Sequence, residues 1–457
     1  MYTTTIGREF LKRYNEEKGS NLTAEQLFDE IFFPLFFDHH KYLMTAGNSP
    51  MENPKISWEK IMLGEFYPKK HKKAGTKYVY ETKDERHKRY HRFKTDKVDQ
   101  LVVDDSTALG YPTLENITTG TSCQITSIDI VNTKDDIYFS WIGGALSLCT
   151  KGGLNILFSD TDLLMDIYKG WRYYRDYLEK NELLKGNQVN TWNSLWICHL
   201  YNKRAFQEEH PIYGIKEPEK RKDGILEFST VSWVEILTRI AQQRPLDNMI
   251  GYIFNIGQTN TTIGFIPFNL EQIKYPHALY KKLFGENQYW QDEQRIMRLF
   301  GGSIGFKQAC QRGEIGLEAL MPAGLSEYMR GKKKPKEISG ESESDRIITF
   351  NTYKTWVVAM LNNEELWKKS NEFAEFLLEY VSEGERKKTD RSNDVQDLMQ
   401  SITKKAFIDA VTKIITKTNK FELCRNMAQI VHEMPNDTVK YLITLIKLHY
   451  ETMKKTS

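Results

Sequence analysis

GKKKPKEISGESESDR, residues 331–346, divides this chain into two regions of different character. Its sole apolar side chain is Ile338, and glycine, serine and charge fill the rest, so it reads as a linker or exposed loop. Everything after it has helical spacing. Leu366, Phe373, Phe376, Leu377 and Tyr380 recur on one stripe up to Gly384. A second helix is predicted through Val395, Leu398, Ile402, Ala406, Ala410 and Ile414, and a third through Phe421, Cys424, Met427, Ile430 and Val431. Pro435 and Asn436 stop the third, and Thr438 opens a fourth through Val439, Leu442, Ile446 and Tyr450. Short connections and one apolar stripe per helix predict an antiparallel helical bundle over 347–457.

Residues 1–330 read as a mixed region. Two helical patterns open it, the second announced by Thr23 and Gln26 at capping-box spacing. IYFSWIGGALSLC and LNILF, separated by TKGG, read as a hairpin or adjacent buried strands, and Ile125, Ile128 and Ile130 as a short strand. Asp160 caps a helix through Leu163, Ile167, Trp171 and Leu178, with Lys169, Arg172 and Arg175 on its outer face. Later come strands at ILEFSTV, YIFNIG and TIGFIPF, with helices over Trp233–Gln243 and Leu270–Leu283. Strands and helices intermix without a βαβ rhythm, so the fold class is α+β, a large mixed amino-terminal region followed by the bundle.

Composition bounds the function. The 457 residues are 40% hydrophobic, enough for two or three ordinary cores. Five scattered cysteines with no metal or redox spacing argue for a reducing cytoplasm. The amino terminus lacks a secretory apolar stretch, and the longest apolar run, 137–149, is too short to span a bilayer, so no membrane association is expected.

Charge is the strongest functional signal. Over residues 66–97, FYPKKHKKAGTKYVYETKDERHKRYHRFKTDK, twelve lysines and arginines face four acids, an excess of eight against +3 for the whole chain, so the remainder nets about −5. Lys69, Lys70, Lys72, Lys73, Arg86, Arg89 and Arg92 are candidate phosphate contacts, and Tyr78, Tyr80, Tyr90 and Phe93 are candidate stacking faces for unpaired bases. A solvated basic loop would carry the same composition. GNQVNTWNSLW places Asn187, Gln188, Asn190 and Asn193 around Trp192, amides that either read base edges or form turns. In the bundle, Lys404, Lys405, Lys413 and Lys417 lie in a stretch, 385–457, where fourteen basic residues face nine acids. They form either a solvated face or a groove that tracks a nucleic-acid backbone.

Catalytic patterns are sparse. Asp38, His39 and His40 match the DHH signature of a phosphoesterase family, but the partner aspartates that family needs are not evident, so the ordinary reading is polar residues closing an apolar helix. Glu81 and Lys83 form the E-x-K triplet of restriction-type nucleases, with Glu52, Glu59 and Glu65 as upstream acids but no acid-bearing strand. Walker, zincin, nucleophile-elbow and paired-cysteine patterns are missing, so neither a catalytic residue nor a metal or cofactor is expected.

A mixed region of over 300 residues with a basic loop, an exposed linker and a basic helical bundle resembles the large subunit of type I CRISPR surveillance complexes (Cascade). KAFIDAVTKIITK (405–417) and VHEMPNDTVKYLITLIKLHY (431–450) are the segments most similar to that family's carboxy-terminal bundle. The resemblance implies a non-catalytic protein that contacts the protospacer-adjacent motif of double-stranded DNA and holds the displaced single strand. Guide RNA is then an indirect partner, with the other complex subunits and a helicase-nuclease as protein partners. It implies a motif-reading loop at Gly47-Asn48-Ser49 beside Lys69–Lys73, with Asn187–Asn193 as the second choice, and an internal start at Met360 that would yield the bundle alone. Two other readings remain open: a restriction or defence-type metal-dependent nuclease, and a protein-binding scaffold without nucleic-acid affinity.

Overall fold

The computed structural model describes residues 1–45, 49–52, 80–104, 107–110, 132–244, 248–255, 261–332, 342–383 and 388–456. The chain divides into two compact units, residues 1–268 with 310–314, and residues 269–309 with 315–457. Residues 269–309 and 315–330 therefore group with the helical carboxy-terminal part, where the sequence placed them in the mixed region.

In the first unit, α1 (Tyr2–Lys18) lies against α5 (Lys134–Ala145). Glycine permits that contact. A Cβ on Gly7 would stand 2.1 Å from the Phe139 carbonyl oxygen, and one on Gly143 would stand 1.9 Å from that of Thr3. Thr3 and Thr4 hydroxyls donate to the carbonyls of Leu109 and Asp136, and Arg8 pairs with Asp136 at 2.8 Å. The sequence reading had α5 as a strand. It is a helix, started by a reciprocal cap between Thr133 and Asp136 and buried on all sides, so its composition carries no period by which to tell it from a buried strand.

Following α1, Thr23 caps α2 (Ala24–Leu27), which widens into a π-turn at Phe28–Phe32 and closes as α3 (Phe33–Phe36), carrying Pro34 in its first turn. After α4 (Lys83–Phe93) and α5, strands β1 (Leu148–Cys149) and β2 (Asn155–Phe158) form the expected antiparallel pair around the TKGG turn. β2 pairs in turn with β5 (Asn248–Asn255), Ile156 opposite Ile253, and β6 (Thr261–Asn269) completes a sheet in the order β1-β2-β5-β6. The expected strand at ILEFSTV shrinks to β4 (Leu226–Glu227), which pairs with β3 (Glu219–Lys220). The Ile125–Ile130 strand lies outside the described residues.

Helices α6 (Thr161–Lys180), α7 (Val189–Leu200) and α8 (Trp233–Gln243) fill the rest of this unit. Asp160 accepts from the Leu163 amide, the cap read from sequence. Arg175, expected on the solvated face of α6, is instead buried at 4% exposure. Its guanidinium donates to the carbonyls of Leu35 (2.6 and 2.9 Å) and Lys41 (3.0 Å). Lys41 answers with Nζ bonds to the carbonyls of Asn181, Glu182 and Leu184 at 2.7–3.3 Å. Each cation thus satisfies the carbonyls left over where the other's helix ends.

In the second unit come α9 (Leu270–Phe284), α10 (Glu286–Leu299), α11 (Phe306–Cys310), α12 (Leu325–Met329) and α13 (Glu343–Leu361). The dividing stretch 331–346 is helical at its end: Ser342 caps α13 reciprocally with Asp345, while residues 333–341 lie outside the described residues. Thr352 to Ala359 of α13 are all buried, and the helix packs on α9, α10 and α18 (Val439–Thr456). Met360 lies in the last turn of this helix, so a product begun there would lack the core supplied by Phe350, Tyr353, Trp356 and Val357.

The bundle continues with α14 (Glu365–Ser382), α15 (Lys388–Gln400), α16 (Lys404–Ile415) and α17 (Phe421–Glu433). The second predicted helix is in fact two, because Thr403 accepts from the Ala406 amide and restarts the chain as α16. Phe373, Leu377, Leu398, Phe407, Val411, Val431, Leu442 and Ile446 share its core. No helix among the described residues is long and apolar enough to cross a membrane.

Candidate nucleic-acid interface

The described part of the basic segment is α4 and its flanks. Thr82 starts the helix by accepting from the Glu85 amide while the Glu85 carboxylate accepts from the Thr82 amide at 2.8 Å, which holds that carboxyl below its usual range. From there the helix has two faces of opposite character.

One face is fastened to the first unit. Arg86, Arg89, Tyr90 and Phe93 recur at helical spacing along it. Tyr90 stacks on Phe33 (4.0 Å, 13°) and bonds Asp29, and Phe93 is fully buried. Neither is a stacking platform for bases, because their rings are core. The Arg86 side chain, 12% exposed, donates to Asp38 (3.2 Å) and to the Glu81 carbonyl (2.9 Å). Arg89, 11% exposed, bonds the Tyr42 hydroxyl at 2.7 Å, the Glu52 carbonyl at 3.2 Å and the Glu81 carboxylate. Both arginines were expected to contact phosphates; both are spent on internal acceptors. Lys94 closes the face on Glu25 and Asp29.

The same contacts place the described residues of the catalytic patterns; Glu59 and Glu65, two of the upstream acids, lie outside the described residues. Asp38 anchors Arg86 and His87, the latter at 3.0 Å. His39 and His40 stack at 4.0 Å, and burial with neighbouring cations lowers His39 to about 3 and His40 to about 4, leaving both neutral at physiological pH. Tyr80 covers His40 at 4.1 Å. Glu81 of the E-x-K triplet is bound to Arg89. Among the described residues, no group of three His, Cys, Asp or Glu side chains is placed to hold a metal ion.

The opposite face of α4 carries His87, Lys88, His91 and Arg92, all exposed and together lining a shallow surface groove. Of the expected set only Arg92 lies there. The signal that finds the other three is the helical period of HKRYHRF, which separates 86, 89, 90 and 93 from 87, 88, 91 and 92.

The remaining expected residues scatter. Asn48, Lys69, Lys70, Lys72 and Lys73 lie outside the described residues. Asn187 takes a left-handed backbone conformation (φ 59°), and its amide donates to the Tyr42 carbonyl. Gln188 clasps the backbone of Phe228, donating to its carbonyl and accepting from its amide at 3.2 Å each. Asn190 and Asn193 bind Ser147 and Ala145 from α7, so these amides join that helix to the end of α5 and the turn before β1.

In the bundle, Lys413 pairs with Asp397 at 3.0 Å, Lys417 with Asp394 at 2.6 Å, and Lys404 donates to the His432 carbonyl at 2.8 Å. Lys405 is exposed. At about 100° per residue, Lys413 falls about 180° around the helix from Lys404, so the four do not form one groove. No family model, curated protein or solved structure matches this chain.

Proposed function

We propose that the chain is a non-catalytic nucleic-acid-binding protein that meets the phosphate backbone with the outer face of α4, within an RNA-guided surveillance complex of the type its architecture resembles. The observation that carries this reading is that Lys88, His91 and Arg92 share one exposed face of a helix whose other face is locked by Asp29, Asp38 and Glu81. Charges held on a rigid support lose little entropy on meeting a polyanion. In this reading double-stranded DNA and the displaced strand are the ligands, with guide RNA, companion subunits and a helicase-nuclease reached through the complex inside the cell.

The test is titration of a labelled duplex by the purified chain across a salt series. Replacing Lys88 and Arg92 together with alanine is expected to weaken binding on every sequence and to lower the salt slope by about 2, roughly 0.9 per phosphate contact. An unchanged slope removes α4 from the interface. Separately, purification of the native protein is expected to recover a short RNA of uniform length with repeated companion subunits. Recovery of the chain alone overturns the complex assignment.

A further inference from the structure

The second unit buries a positive charge with no counter-charge among the described residues. Lys354, in the middle of α13, is 5% exposed, and among the described residues no carboxylate pairs with it. Burial alone lowers its ammonium to about 8, so it is still largely protonated at neutral pH. Its Nζ stands 5.8 Å from the centre of the Trp367 ring on α14, a weak cation–π contact.

His449 on α18 meets the same indole from another side, ring centres 4.6 Å apart at 74°. It is 2% exposed, and among the described residues its Nε2 has no hydrogen-bond partner. Burial first, and then the Lys354 charge, lower it to about 3, so it is a neutral imidazole that donates from Nε2 in one of its tautomers. Phe284 at the end of α9 closes on Trp367 at 5.6 Å. Trp367 itself is only half-buried, which leaves the cluster next to the surface of the unit.

A buried lysine without a carboxylate and a buried imidazole nitrogen without a hydrogen-bond partner, both against the Trp367 indole and unanswered among the described residues, are two costs that a single oxygen-bearing anion removes together. A cation or a neutral apolar group would leave at least one of them standing. We propose that Lys354 and His449 form a binding site for one small oxyanion, a phosphate or carboxylate group, that accepts hydrogen bonds from both beside the Trp367 indole. The site is independent of α4, which belongs to the other unit.

The experiment uses the full chain, with inorganic phosphate and acetate titrated separately at constant ionic strength and followed by calorimetry and by thermal unfolding. A saturable 1:1 heat and a rise in Tm with phosphate assign a phosphate site; the same with acetate assigns a carboxylate site. Lys354→Met is expected to abolish the response while melting no lower than the wild type without anion, since it removes the unpaired charge. His449→Gln is expected to weaken the affinity several-fold. Absence of saturation with both anions, or a full response in Lys354→Met, overturns the proposal. Should Lys354→Met fail to fold, undiminished affinity in His449→Gln overturns it equally.

Discussion

Arg175→Met is expected to destabilise the first unit by about 3–5 kcal/mol, the loss found when one member of a buried charged hydrogen-bond set is removed. Methionine fills much of the same volume, so the loss comes from the carbonyls of Leu35 and Lys41, which would be left in the interior without donors. The Lys41 ammonium would then hold the clasp alone through Asn181, Glu182 and Leu184. Urea unfolding followed by tryptophan fluorescence measures it. Arg172→Met, three residues earlier on the same helix, is the control: that side chain is 77% exposed and among the described residues pairs with Asp176, so its removal is expected to cost under about 1 kcal/mol. Equal effects at the two positions would show that the clasp contributes nothing beyond a surface pair.

The α1–α5 contact gives the second large effect. Gly143→Ala places a methyl group 1.9 Å from the Thr3 carbonyl oxygen, a backbone atom that no rotamer change can move. The helices must separate, and the expected cost is about 3 kcal/mol, at the upper end for overpacked cores. Gly7→Ala, 2.1 Å from the Phe139 carbonyl oxygen, is expected to act through the same separation. The double variant is therefore expected to lose less than the sum of the singles. Gly305→Ala, with no neighbour within 4 Å of its added Cβ, is the control. Full additivity in the double variant would mean that the two glycines relieve separate clashes and not one shared approach.

What could be read from the sequence followed the physics of each segment. Caps and periods were legible where one residue type does one job: Thr23 and Asp160 as caps, the apolar stripes of α14, α17 and α18, and the turn between β1 and β2. They failed where burial removes the pattern. α5 is apolar on every side, and α13 mixes Thr349, Thr352 and Thr355 with Trp356 and Val357, all of them buried. The interface was harder, because charge composition counts arginines without saying which acids they meet. Arg86 and Arg89 look like Arg92 in a tally, yet beside the local Glu81 their acceptors include Asp38, Glu52 and Tyr42, 37 to 48 positions earlier in the chain. Arg175 misled for the same reason, its acceptors being carbonyls 134 and 140 positions away.

These separations also bear on how quickly the chain folds. Mostly helical proteins tend to reach the native state fast because their contacts are local, whereas long-range pairing makes the chain search before any stabilisation is returned. Here Thr4 meets Asp136 across 132 positions, and in the other unit Lys447 meets Tyr328 across 119. Helices can form within microseconds, but α1 gains its glycine-lined partner only after a long loop has closed. Refolding is therefore expected to run on two clocks, an early one for far-ultraviolet dichroism and a late one for the burial of Trp141 and Trp356.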